Sequence, residues 1–232
     1  MARAGVRVSV GAATMGAMAT LTGQQIADAG LVGWVNLGGC LHTRVRTGDF
    51  AAGLALVVQI GAEAEQRDHH PDVDLRYGHV DVTVVSHDAG GVTQRDVDLA
   101  RRIGELAAQG GHTLHGTEVT RLDIALDTPD RTEVAPFWRA VLAYEDRPGF
   151  DDEVRDPAGA LPPVWFQESG DAEPRQRWHL DVWLDPEQVQ PRIDAALAAG
   201  GQVVDDDAAP RFWVLADPEG NRVCLCTWQD RG

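Results

Sequence analysis

The chain has 232 residues, with 36 acidic side chains against 20 basic ones and a formal net charge of −16. That balance excludes recognition of nucleic acid or of an anionic membrane through bulk electrostatics, which needs clustered positive charge, and leaves small molecules or proteins as partners. No stretch reaches the roughly 18 apolar residues of a membrane span. The cysteines, Cys40, Cys224 and Cys226, are odd in number and fit a reducing cytoplasm better than a disulfide framework.

Residues 1–20 are rich in Gly and Ala and poor in Leu, and read as a flexible extension rather than an export leader. From 21 to 109 the pattern runs helix, short strands, helix, strands, helix. The helix predicted over Asp49 to Arg67 has Asp49 as its cap and Phe50, Leu54, Val57, Gly61 and Ala64 as its inward stripe. Pro71 has no amide hydrogen and pushes His70 out of the helical region, so the helix finishes near Asp68 or His69. His69 and His70 therefore stand at the negative end of a helix dipole. Val73 to Tyr77 reads as extended, Gly78 as a turn, and Val80, Val82 and Val84 alternate with polar residues in a strand that runs into Ser86-His87. After the turn Asp88-Ala89-Gly90-Gly91, Thr93 and Asp96 have the spacing of a capping box, with Val92 and Val97 as its staple. The helix that follows, Gln94 to about Ala108, turns Val97, Ala100, Ile103 and Ala107 inward. Residues 110–119 break periodicity and read as a linker.

Residues 120–229 contain an echo. Leu122 to Asp127 followed by Pro129 and a helix with Val134, Phe137, Trp138, Val141 and Leu142 is matched by Leu180 to Asp185, then Pro186 and a helix with Val189, Ile193, Ala196 and Leu197. Short strands follow each helix, so the half reads as two copies of a β-α-β-β-β unit. Parity puts Leu122, Ile124 and Leu126, and likewise Leu180, Val182 and Leu184, on the helix-facing side. The other face, with Arg121, Asp123 and Ala125 against His179, Asp181 and Trp183, lines a cup or a solvated surface.

Two adjacent histidines before a proline admit a structural or solvated pair, a three-histidine zinc site with His87, or proton transfer. Neighbouring side chains diverge from an extended backbone and rarely share one metal, which leaves proton transfer. The succession Glu65-x-x-Asp68-His69-His70-Pro71-Asp72, Tyr77, the valine strand, Ser86-His87-Asp88-x-Gly90-Gly91-Val92-Thr93-x-x-Asp96 and Leu99-Ala100 resembles the pterin-4a-carbinolamine dehydratases over residues 21 to 108. The resemblance implies an α+β domain of three helices on a four-stranded antiparallel sheet that forms dimers or tetramers. It also implies dehydration of a 4a-hydroxytetrahydropterin to the quinonoid dihydropterin without metal or cofactor. Carried onto this chain, the catalytic residues are His69, His70 and His87, with His69 and His87 as the acid/base pair. Glu65, Asp68, Ser86 and Asp96 are the substrate-binding or tautomer-fixing groups.

The second half, with Phe137-Trp138, His179-Leu180-Asp181 and the turn Ala216 to Asn221, resembles the glyoxalase-like branch of the vicinal oxygen chelate superfamily. Family metal positions fall here on Asp123 or Arg121, Gln167, His179 and Cys224, and an arginine or cysteine departs from hard oxygen and nitrogen donors. No metal is expected, and the cup is read as holding a second small molecule or supporting the first domain. Two alternatives stand beside the dehydratase reading. One is a small-molecule-binding or resistance-type protein with a non-catalytic dimerisation module; the other is a metal-dependent lyase or oxygenase in the C-terminal domain.

Overall fold

A computed structural model of the chain describes residues 19–147, 150–169, 177–216, 220 and 222–231, and within helices it leaves the side chains of residues 137, 140 and 141 undescribed. The extension expected over 1–20 therefore lies almost wholly outside the described residues. So do the expected packing of Phe137 and Val141 and most of the turn from 216 to 221.

The first domain opens with helix α1 (Gly23–Asp28), capped by Thr22 and Gln25, and continues through strands β1 (Val35–Leu37) and β2 (Cys40–Arg46). Helix α2 (Phe50–Arg67), strands β3 (Asp72–Leu75) and β4 (His79–Val84) and helix α3 (Gln94–Gln109) follow. The strands form one antiparallel sheet in the order β1-β2-β4-β3. A two-residue strand, β5 (Thr113–Leu114), adds a fifth member by pairing with β2. One face of the sheet carries Leu41, Val45, Val80, Val82 and Val84, and the helices lay Leu56, Ile60, Val97, Leu99, Ala100 and Ile103 upon it. The Leu, Ile and Val side chains buried this deeply contribute about 1.5–3 kcal/mol each.

The inward stripe of α2 needs correction. Gly53, Leu56, Ile60 and Ala64 are the buried positions, whereas Phe50, Leu54 and Gly61 are exposed. The helix is apolar nearly all round, so periodicity alone does not choose a face. Gly53 chooses it, because a Cβ there would come within 2.7 Å of Leu75 Cδ1. Residues 110–119 also do more than connect: besides β5, Gly116 packs so closely on the backbone of Gly33 and Trp34 that a Cβ would lie 2.7 Å from the Gly33 carbonyl. Arg46 reaches across to pair with Glu118.

The second domain is the expected duplication. Strand β6 (Arg121–Thr128), helix α4 (Arg131–Leu142) and strands β7 (Glu145–Asp146), β8 (Glu153–Arg155) and β9 (Val164–Glu168) form the first unit. Strand β10 (Trp178–Trp183), helix α5 (Pro186–Ala198) and strands β11 (Gln202–Asp205), β12 (Phe212–Ala216) and β13 (Arg222–Cys226) form the second. All eight strands join one sheet, β11-β12-β13-β10-β6-β9-β8-β7, whose two halves meet where β6 and β10 run antiparallel. Each half has its own small core: Leu184, Val189, Ile193, Leu215 and Leu225 in one, and Leu126, Val154, Val164 and Phe166 in the other. Leu122 and Leu180 sit on the helix side as expected but stay about two-fifths exposed, since neither small core reaches them. Arg121 joins the domains by donating to the Gly38 carbonyl at 3.2 Å while pairing with Asp123.

Candidate active site

The end of α2 decides where the histidines go. Asp68 takes a left-handed conformation, φ 48°, one of the few conformations of that kind that an Asp tolerates well. The reversal lets the His69 amide donate to the Ala64 carbonyl at 3.2 Å, closing the helix. His69 then turns into the protein, and His70, held extended by Pro71, turns out. The divergence expected of adjacent imidazoles is thus produced by one left-handed residue and one proline.

His69 meets Asp96, which sits in the first turn of α3 and has no exposed surface. Its Nε2 lies 2.7 Å from Asp96 Oδ1. The other oxygen, Oδ2, accepts from the Thr93 amide at 2.6 Å, from Ser86 Oγ at 2.7 Å and from Thr93 Oγ1 at 3.1 Å. Ser86 and Thr93, 2.9 Å apart, are as buried as the carboxylate. One acid therefore ties the end of α2, the end of β4 and the start of α3 together. The capping box that starts α3 is also the clamp on the imidazole. An ionised carboxylate only accepts, so facing it Nε2 is the donor, and Nδ1 is the ring nitrogen that the clamp leaves alone.

The other expected residues are more open. His70 Nε2 lies 3.1 Å from Glu65 Oε1 at the surface, and Asp68 is exposed. His87 directly follows Ser86 and begins the turn closed by the Ser86–Gly91 bridge, with its ring exposed and no side-chain hydrogen bond among the described residues. Asp88 pairs with Arg95, which fixes the far side of that turn. His69, Ser86 and Asp96 are thus bonded together, His87 is held next to them by the chain, and His70 with Glu65 forms a separate surface pair. Thr93 is the residue that sequence reasoning placed only as a cap; its place three residues before Asp96 was the available signal.

In the second domain β6, β9, β10, β12 and β13 surround a cavity of about 790 Å³. Asp123 accepts from Arg121 Nε at 2.9 Å and from Trp183 Nε1 at 2.8 Å, so it is already bound on both sides. His179 stands between two acids, its Nδ1 3.4 Å from Asp127 Oδ1 and its Nε2 3.6 Å from Asp181 Oδ1. His179, Asp181 and Cys224 bring one donor atom each within 4.8 Å of one another, which tests the fit of a metal. Burial and the Asp181 carboxylate push the Cys224 thiol up to about 12, and it hydrogen-bonds to Asp181, whose own carboxyl burial raises. The thiol proton thus already joins the two groups, and the mixed N, O and S set does not fit the hard-donor metal site of the resembled enzymes.

A buried histidine–aspartate pair at the junction of two helices and a sheet, with a second histidine on the adjoining turn, is the candidate site of this α+β domain. The comparisons give it a family. The model described as pterin 4 alpha carbinolamine dehydratase matches residues 19–106, and the one described as glyoxalase-like domain matches residues 123–226. A Nocardia farcinica protein that bears the name pterin-4-alpha-carbinolamine dehydratase provisionally is 44% identical over 89 residues, 38% of this chain and 94% of its own. A crystal structure described as a transcriptional coactivator/pterin dehydratase from Brucella melitensis is 30% identical, covers 38% of this chain and 98% of its own, and gives a TM-score of 0.37. A glyoxalase/bleomycin resistance protein/dioxygenase superfamily member from Vibrio splendidus is 14% identical, covers 47% of this chain and 99% of its own, and gives a TM-score of 0.32. Through its first domain the chain belongs to the pterin 4 alpha carbinolamine dehydratase family. Among the described residues no helix is long and apolar enough to cross a membrane.

Proposed function

We propose that the first domain dehydrates a 4a-hydroxytetrahydropterin to the quinonoid dihydropterin, with His69 and His87 as its acid/base pair. The observation that supports the reading is the fully buried Asp96 clamp, which holds His69 through Nε2 and leaves Nδ1 without a hydrogen bond among the described residues. Dehydration moves two protons and no net electrons. One proton joins the C4a hydroxyl as the C–O bond breaks and water leaves, and one is lost from a ring nitrogen as the quinonoid system forms. Imidazole serves either role near neutral pH, and a positioned acid or base contributes about 10²- to 10⁴-fold in rate. His70, oriented by Glu65, binds and steers the pterin, and Asp68 sets the divergence of the two rings. Ser86 and Asp96 act through His69 rather than on the substrate, because neither has exposed surface.

The exposed stripe Phe50, Leu54 and Val58 on α2 supports self-association of the domain into a dimer or tetramer, since covering an apolar helix face removes it from water at a gain in free energy. Turnover is tested by adding the protein to freshly generated 4a-hydroxytetrahydropterin and following quinonoid absorbance. Acceleration over buffer that falls in both His69→Ala and His87→Ala is the expected result. Acceleration that survives both changes would reject the assignment.

A further inference from the structure

We propose that His179, Asp181 and Cys224 form a site for a thiophilic divalent cation of the zinc class on the cup face of the second domain. Two strands put the three residues side by side. His179 and Asp181 are alternate residues of β10 and so share a face, and Cys224 of β13 stands directly opposite Asp181. All three line the cavity, and one donor atom from each lies within 4.8 Å of the others. Their surroundings hold them by the atoms that face away from the group. His179 Nδ1 lies 3.4 Å from Asp127 Oδ1, which offers an acceptor for the ring hydrogen on the side away from Asp181. With the hydrogen there, Nε2 presents a lone pair 3.6 Å from Asp181 Oδ1. Asp181 Oδ2 accepts from Trp165 Nε1 at 3.0 Å, and the same indole packs edge-on against the His179 ring, with centroids 6.0 Å apart. Outer contacts of this kind, carboxylate to histidine and donor to carboxylate, are what orient metal ligands.

Charge points the same way. Asp123 is paired with Arg121, but Asp127 and Asp181 flank a single imidazole, so with both ionised the group is net negative even when His179 is charged. Burial makes that charge costly and raises the Asp181 carboxyl, and a divalent cation offsets it. Binding exchanges a proton for the cation. The S–H bond of Cys224, now directed at Asp181, breaks as the sulfur–metal bond forms, and one proton leaves to solvent. Donors around a tetrahedral zinc stand roughly 3.5 Å apart, given bonds of about 2.0–2.3 Å. The spacing of His179 Nε2 and Asp181 Oδ1, 3.6 Å, already matches. A thiolate and an imidazole select zinc over magnesium or calcium, and three protein donors leave the fourth position open toward the cavity. The donors come wholly from the second unit, two of them from one strand, while Asp123, bound on both sides, and Gln167 take no part.

The test adds cobalt(II) to the full chain, stripped with chelator and kept reduced. One equivalent is expected to produce a sulfur-to-cobalt charge-transfer band, which zinc removes one for one and excess magnesium leaves in place. Cys224→Ser is expected to abolish the band, and Cys226→Ser, also at the cavity, to keep it. Asp127→Asn is expected to weaken cobalt binding about ten- to hundredfold, the usual cost of losing an outer contact to a ligating histidine. His179→Gln, which removes a donor outright, is expected to weaken it further and serves should Cys224→Ser fold poorly. No band in the wild-type chain would overturn the proposal, as would a band that survives undiminished in Cys224→Ser or in His179→Gln. Quinonoid formation by the first domain is expected to be equal with and without cobalt, so the cation site and the dehydratase reading stand or fall separately.

Discussion

Asp96→Asn isolates the role of the clamp because it changes charge and donor pattern while keeping shape. Oδ2 of Asp96 faces the Thr93 amide at 2.6 Å, a group that can only donate, together with the hydroxyls of Ser86 and Thr93, which can rotate. The asparagine oxygen must therefore stay on that side, and its NH2 takes the place of Oδ1, 2.7 Å from His69 Nε2. Facing a donor, Nε2 becomes the acceptor and the ring proton moves to Nδ1, the nitrogen assigned to the substrate. Hydrogen bonds to a charged acceptor become neutral ones, a loss of about 1–3 kcal/mol of stability. The functional loss is larger, about 10²- to 10⁴-fold in turnover, because the proton sits on the wrong nitrogen while the fold persists. Nitrogen-15 NMR of the His69 ring reports the tautomer, urea unfolding reports the stability, and quinonoid formation reports the rate. A variant with His69 still protonated on Nε2 and turnover near wild type would show the clamp to be structural only.

Four further outcomes rest on other parts of the fold. Leu54→Glu and Val58→Glu, both on the exposed stripe of α2, should convert an oligomer to monomers in light scattering without unfolding it; unchanged mass would remove α2 as the interface. Burial and the nearby Arg121 hold His42 down from 6.5 to about 4, and its Nε2 is buried without a partner. The unfolded chain then binds more protons between those values, so stability falls as pH drops from 6.5 toward 4, by at most about 3 kcal/mol, and is unaffected above that window. His42→Asn should flatten this part of the urea-midpoint profile, and an unaltered slope would refute the assignment. Burial raises the thiols of Cys40, Cys224 and Cys226, so an aromatic disulfide reagent should label the native chain slowly near neutral pH and the denatured chain fast. Gly33→Ala should destabilise the first domain, because φ is 77° and a Cβ would come within 2.4 Å of Leu114 Cβ; a wild-type unfolding midpoint would contradict that packing.

The parts of this fold that were legible in the sequence are those set by local rules. The duplication announced itself because two strands of the same parity each ran into a proline and an apolar-spaced helix, and β6 and β10 now pair at the centre of one sheet. The start of α3 was legible because Thr93 and Asp96 satisfy a backbone amide wherever they occur at that spacing. What local rules could not supply was the choice between equivalent partners. The face of α2 was undetermined, since Phe50 and Leu54 are as apolar as Leu56 and Ile60, and only the approach of Gly53 to Leu75 separates them. The linker reading of 110–119 missed β5 for a similar reason: a two-residue strand has no period, and it forms because Gly33 and Gly116 let two backbones touch. The site divides in the same way. His69, Ser86 and Asp96 were each named from their sequence positions, but the double duty of Asp96 arises from three elements meeting, which no single window contains. Asp127 is the far end of that scale. In the sequence it is one more acid in a chain that carries 36, and only the structure shows one of its oxygens buried beside His179 Nδ1, 3.4 Å away.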